Sequence, residues 1–92
     1  VFNGELDRAY INAGNKQNII SASPDNTSIA IETSGCSSAV VWNPGLEKAA
    51  AMQDMGAENY QKFVCVERGN VFDNEVMLLP NKTHRASLHI KL

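Results

Sequence analysis

Glu67 closes an apolar run, Phe63-Val64-Cys65-Val66, and is the residue best placed for proton transfer. The run is apolar on both parities, so a strand here should be covered by protein on both faces. A carboxylate at the end of such a strand sits where a packed core gives way to a cleft. Desolvation at that place disfavours the charged form, which can raise the pKa and make the group a usable base near neutral pH. The plainer alternative is a strand-end Glu in solvent, or one paired with Arg68 or Lys62.

Other residues invite the same weighing. Asp7 stands beside Arg8, where a surface ion pair is the default. Asp54 precedes Gly56 and fits a turn whose side chain caps local backbone. Trp42 offers a platform for stacking on a sugar face, but a lone Trp in an apolar run is more often core. His89 falls on the polar parity of the last strand-like segment, as an exposed imidazole would. Neither His84 nor His89 has partners at metal-ligand spacing, so no metal site is expected. No phosphate-binding glycine loop, nucleophile elbow or catalytic triad order is present, and no cofactor is implied. Lys82, Arg85 and Lys91 are scattered, as on a solvated face.

The bulk properties narrow the field. Ninety-two residues suffice for one small domain. The net charge is -2 and the pI about 5.6, with no basic patch for a nucleic-acid partner. Hydrophobic residues make up 43%, ordinary for a globular chain, and no apolar stretch approaches the roughly 18 residues of a membrane span. Cys36 and Cys65 are too few for a disulfide framework, and reduced thiols fit a cytoplasmic protein. Cys65 in its apolar run reads as a small core residue. The triplets Asn26-Thr27-Ser28 and Asn81-Lys82-Thr83 match glycosylation sequons, but a chain this rich in Asn, Ser and Thr produces such triplets by chance. The chain opens on Val1 rather than Met, which points to a fragment or a processed product.

The positioning elements are mostly short strands separated by turns. Leu6 to Ile11 reads as a strand, followed by a turn in which Gly14 can take a positive φ. Ile19 to Ala22 reads as a second strand, and Ser23-Pro24-Asp25-Asn26 as a turn. Thr27 to Thr33 alternates, with Ile29 and Ile31 on one face and Ser28, Ala30 and Glu32 on the other. Ser34-Gly35 turns the chain into a fourth strand, Ala39 to Trp42. Asn43 then fits an N-cap with Pro44 at the first helical position, opening a short helix from Leu46 to Met52 that Gly56 ends. Tyr60 to Glu67 reads as the fifth strand and Val76 to Leu79 as a sixth, closed by Pro80-Asn81. Ala86, Leu88, Ile90 and Leu92 alternate with Ser87, His89 and Lys91, a one-sided final strand. The pattern is all-β with one short helical segment.

Three segments together resemble one family. Leu6-Asp7-Arg8-Ala9-Tyr10, Val40-Val41-Trp42-Asn43-Pro44 and Phe63-Val64-Cys65-Val66-Glu67 are similar to the C-terminal part of the hexose-6-phosphate mutarotases, a branch of the aldose 1-epimerase, or galactose mutarotase-like, family. Asp54-Met55-Gly56 and Tyr60 fall where that pattern puts them. Each pentapeptide is weak by itself; their order and spacing are specific. The likeness runs from about Leu6 to Glu67.

The resemblance implies a β-sandwich, or supersandwich, of antiparallel strands, much larger than this chain. Residues 1–92 would be the C-terminal portion of one such domain, with the missing N-terminal portion as natural partner. It implies a 1-epimerase that interconverts the α and β anomers of glucose 6-phosphate-type sugars by acid–base ring opening, without cofactor. Glu67 would be the general base and Asp7 a sugar-hydroxyl contact. The catalytic His and most of the phosphate-binding residues would lie upstream, and His84 and His89 match neither. Arg68-Gly69, after Glu67, departs from the pattern where the family varies and carries no functional weight. Two other readings compete: a mutarotase-like module that binds carbohydrate without turnover, and a small free-standing β domain with a structural role.

Overall fold

In a computed structural model of the protein, residues 3–20 and 27–92 are described. β-branched and aromatic residues, interrupted by turn formers, produce β1 (Leu6–Tyr10), β2 (Lys16–Ile20), β3 (Ser28–Ser34), β4 (Ser38–Asn43), β5 (Cys65–Gly69) and β6 (Ser87–Lys91). One helix, α1 (Gly45–Ala51), follows β4. The strands form two three-stranded sheets, ordered β1-β4-β5 and β2-β3-β6. Contacts divide the chain into two units, Val1–Tyr10 with Val40–Glu67, and Ile11–Ala39 with Arg68–Leu92.

In the first unit Asn43 organises the chain. It is fully buried, and its side-chain amide donates to the carbonyls of Tyr60 (2.7 Å) and Phe63 (2.8 Å). Its Oδ1 accepts from the Gly45 N–H at 3.0 Å. The expected cap is therefore displaced by one residue: Pro44 occupies the cap position, and Asn43 satisfies the first helical N–H from one step further out. Gly45 has φ +72°, and a Cβ there would lie 2.5 Å from the carbonyl carbon of Gly4, so both conformation and space demand glycine. The three alanines 49–51 cost little side-chain entropy in the helix, and Ala49 is fully buried. The helix ends at Ala51. Met52 is already extended, and Gly56 (φ +79°) closes the turn that follows rather than the helix.

The expected strand from Tyr60 to Glu67 is only half correct. Asn59–Lys62 form a 3₁₀ turn, and the strand begins at Cys65. The reason is the Asn43 amide, which gathers two carbonyls three residues apart; an extended chain would hold Tyr60 and Phe63 about 10 Å apart. Full cover for both faces of the run is not found either. Phe63, Cys65 and Val66 are half-buried and Val64 is 37% exposed.

In the second unit β3 is central and pairs antiparallel with both neighbours. Gln17 and Ile90 lie opposite Ile31 on its two sides, and Leu88 lies opposite Thr33. The alternation expected for this strand holds: Ile31 (5% exposed) and Thr33 (7%) share the covered face. Glu32 is on the other face, opposite His89 and 3.6 Å from Lys91. Burying Ile31 contributes about 1.5–3 kcal/mol. At β6 the same face is bare, with Leu88 49% and Ile90 63% exposed. The second strand is Lys16–Ile20, starting earlier than expected; the last two residues of the expected strand, 21–22, and the turn placed at Ser23-Pro24-Asp25-Asn26 lie outside the described residues.

Val76 to Leu79 is not a strand. These residues carry no regular structure and all four side chains are exposed. A strand is stabilised by a hydrogen-bonded neighbour, and none pairs with this segment among the described residues. The turn after it does form as expected: Asn81 takes φ +64°, and the Lys82 N–H donates to the Leu79 carbonyl at 3.1 Å.

Candidate functional site

The sheet β1-β4-β5 brings the sequence candidates together. Asp7 lies on β1 and Glu67 on β5, and these strands flank β4, which carries Trp42. Residues sixty positions apart in sequence thus share one sheet, because each of their strands pairs with the same central strand. Both carboxylates are exposed. The ion pairs among the described residues are Lys48–Glu5 and Lys91–Glu32; Asp7 and Glu67 belong to neither. The pairings that sequence suggested, Asp7 with Arg8 and Glu67 with Arg68 or Lys62, are absent from that set.

Trp42 is half-buried and oriented from both ends. Its Nε1–H donates to Glu5 Oε1 at 3.0 Å, and its ring lies 6.3 Å from that of Phe63, tilted by 48°. Glu5 also accepts from Lys48 at 2.7 Å. The Lys48 hydrogen bond, followed by that from Trp42, holds the Glu5 carboxyl below the ordinary carboxylate range. Sequence reasoning missed this group, since 43 residues separate Glu5 from Lys48 and nothing local links them. It borders a concavity of about 410 Å³ lined by Glu5, Pro44, Leu46, Glu47, Lys48 and Tyr60. Neither Glu67 nor Asp7 lines that hollow, so it is not where they would act.

The remaining candidates have structural surroundings. Asp54 is exposed in the turn between Met52 and Gly56. His84 Nε2 lies 2.9 Å from the Gly35 carbonyl, and Asn70 clamps the same turn through Gly35 O (2.7 Å) and the Ser37 N–H (3.2 Å). His89 is exposed on β6. Cys36 and Cys65 are free and half-buried. No helix is long and apolar enough to cross a membrane among the described residues.

Comparison with known proteins decides the lineage. The sequence profile of the family described as Aldose 1-epimerase matches residues 1–91. The chain belongs to the aldose 1-epimerase family. It is 36% identical over 88 residues to a protein of Cenchrus ciliaris named "Putative glucose-6-phosphate 1-epimerase". The match covers 96% of this chain and 26% of that protein, so the chain spans about a quarter of its relative's length. No solved structure matches. An all-β arrangement of antiparallel strands with one short helix agrees with a part of an aldose 1-epimerase sandwich.

Proposed function

We propose that this chain is the C-terminal part of a hexose-6-phosphate 1-epimerase in which Glu67 is the general base and Asp7 a contact to a sugar hydroxyl. The observation that carries this reading is the 36% identity across nearly the whole chain to a protein named "Putative glucose-6-phosphate 1-epimerase". The order of the Leu6–Tyr10, Val40–Pro44 and Phe63–Glu67 segments supports it, since that pattern matches Glu67 and Asp7 to the family's base and sugar-contact positions. Free thiols at Cys36 and Cys65 fit a cytoplasmic setting.

Glu67 takes the proton from the anomeric hydroxyl. The C1–O5 bond breaks as the C1 carbonyl forms, and an acid from elsewhere in the enzyme protonates O5. Rotation about C1–C2 presents the other carbonyl face. Reclosure returns both protons by the same two groups, giving the opposite anomer. Such chemistry needs a base and an acid on either side of the C1–O5 bond.

The test is Glu67→Gln in the full-length enzyme, which keeps the shape and removes the base. Anomerisation of α-glucose 6-phosphate should fall by about 10²–10⁴, the usual range for a positioned acid–base group. Wild-type turnover in a coupled assay would remove Glu67 from the mechanism.

A further inference from the structure

Trp42, on the central strand, meets side chains from both flanking strands. Its Nε1–H donates to Glu5, just before β1, at 3.0 Å, and its ring lies 6.3 Å from that of Phe63, on the approach to β5. All three belong to one compact unit, together with Asp7 and Glu67. Side chains that meet across neighbouring strands share a face of the sheet. Alternation carries that face from Glu5 to Asp7. It also carries it from Phe63, already extended at φ -150° and ψ 165°, through Cys65 to Glu67. Asp7, Trp42 and Glu67 thus share one side of the sheet β1-β4-β5. The opposite side carries Leu6, Asn43 and Val66, all at least half-buried, whereas Glu5, Asp7 and Glu67 are exposed.

Both flanking strands are entered beside Trp42. Asp7 lies two residues past Glu5, roughly 7 Å along the face, and Glu67 lies four residues past Phe63, roughly 13 Å along it. A hexose ring with its hydroxyls fills that interval, with its anomeric end at Glu67. Glu5 limits what Trp42 can offer such a ligand. The indole N–H is taken, so the ring presents apolar surface and no donor. Glu5 is in turn held by Lys48 at 2.7 Å, which steadies the indole. A flat, half-buried aromatic surface beside two exposed carboxylates suits a sugar, which is apolar on its C–H patches and polar at its hydroxyls.

We infer that Trp42 is a substrate-binding residue: its indole packs on the C–H surface of the hexose at the end away from the anomeric carbon. The inference rests on the proposed roles of Asp7 and Glu67. The contact lies away from the C1–O5 bond, so it is the same in the ground and transition states. Its loss is therefore read in KM rather than in kcat.

The test compares Trp42→Leu, Trp42→Phe and Glu67→Gln with wild type in the full-length enzyme. Kinetics use α-glucose 6-phosphate, and tryptophan emission is followed on titration with the equilibrated anomers. Trp42→Leu keeps apolar bulk and loses the aromatic face, so it should raise KM about 3- to 10-fold with kcat changed less than about two-fold. Trp42→Phe keeps a ring and should stay within about two-fold of the wild-type KM. Saturating glucose 6-phosphate should change the emission of wild type more than that of Trp42→Phe, and inorganic phosphate alone should not reproduce the difference. A folded Trp42→Leu enzyme with wild-type KM would overturn the inference, as would equal emission changes in wild type and Trp42→Phe. If Trp42→Leu does not fold, the emission comparison decides. Wild-type turnover by Glu67→Gln beside a raised KM in Trp42→Leu would overturn the base assignment and leave the aromatic contact standing. An inactive Glu67→Gln beside a Trp42→Leu of wild-type KM would overturn the aromatic contact alone.

Discussion

The side-chain amide of Asn43 donates to the Phe63 carbonyl at 2.8 Å, joining the end of β4 to the approach to β5 across twenty residues. The same nitrogen reaches Tyr60 O, and the Asn43 oxygen receives the Gly45 N–H. One buried amide thus sets where the helix starts and where the 3₁₀ turn gives way to the strand bearing Glu67.

Asn43→Ala should therefore be severe. It orphans two carbonyls and one N–H around a fully buried position, and each unsatisfied group costs about 1–3 kcal/mol. A loss of about 3 kcal/mol or more in unfolding free energy is expected, read from a lowered urea midpoint of the full-length enzyme. Asn43→Asp should be nearly as damaging, because a carboxylate keeps the acceptor for Gly45 but cannot donate to either carbonyl. An unchanged midpoint for either variant would show that the amide is replaceable.

Asp7→Asn separates a binding role from proton transfer. A carboxylate that accepts from a sugar hydroxyl orients the substrate rather than moving its proton. The variant should raise KM and lower kcat by less than Glu67→Gln does. Steady-state kinetics that leave both constants untouched would return Asp7 to an ordinary surface role.

The Glu5 group makes a pH prediction. Its folded pKa lies below the ordinary value of 4.5, through Lys48 first and Trp42 second. A carboxyl depressed on folding stabilises the native state above its unfolded pKa, and that stability is lost as pH falls through the folded value. Wild type should thus lose an increment of stability below about pH 4.5 that Glu5→Gln lacks and that Lys48→Met keeps only in the part due to Trp42. The increment is small because both partners are well exposed, and salt should shrink it further. Acid-unfolding curves that superimpose for wild type and both variants at low salt would deny the linkage.

Residues 1–92 expressed alone should associate or aggregate. Met77 (85% exposed), Leu78 (61%), Leu88 (49%) and Ile90 (63%) leave bare apolar surface, and β6 is an edge strand among the described residues. Exposed apolar patches and unpaired edges are both sticky. Sizing chromatography should show large species, and on the proposed mechanism mutarotase activity should be missing, since that mechanism draws its acid from elsewhere in the enzyme. A sharp monomeric peak with turnover would contradict both expectations.

Local chemistry alone determined a good part of this protein. Alternation in β3 put Ile31 and Thr33 on one face, glycines marked the turns at 14 and 35, and the alanine run marked the helix. These signals act over a few residues, so they survive without knowledge of the fold. The order of Leu6–Tyr10, Val40–Pro44 and Phe63–Glu67 carried the family for the same reason, as a linear pattern. Only the tertiary structure decided the rest. Tyr60 to Lys62 are apolar and polar in a strand-like mix, yet they turn because the Asn43 amide collects the Tyr60 carbonyl together with that of Phe63. Val76 to Leu79 read as a strand and are not one, because pairing belongs to two segments rather than one. Glu5 meets Lys48 and Trp42, and Arg68 meets Gly14, Gln17 and Cys36, across 32 to 54 residues of chain. Hydrogen bonds of that range depend on where a whole chain folds back on itself, which no local pattern encodes.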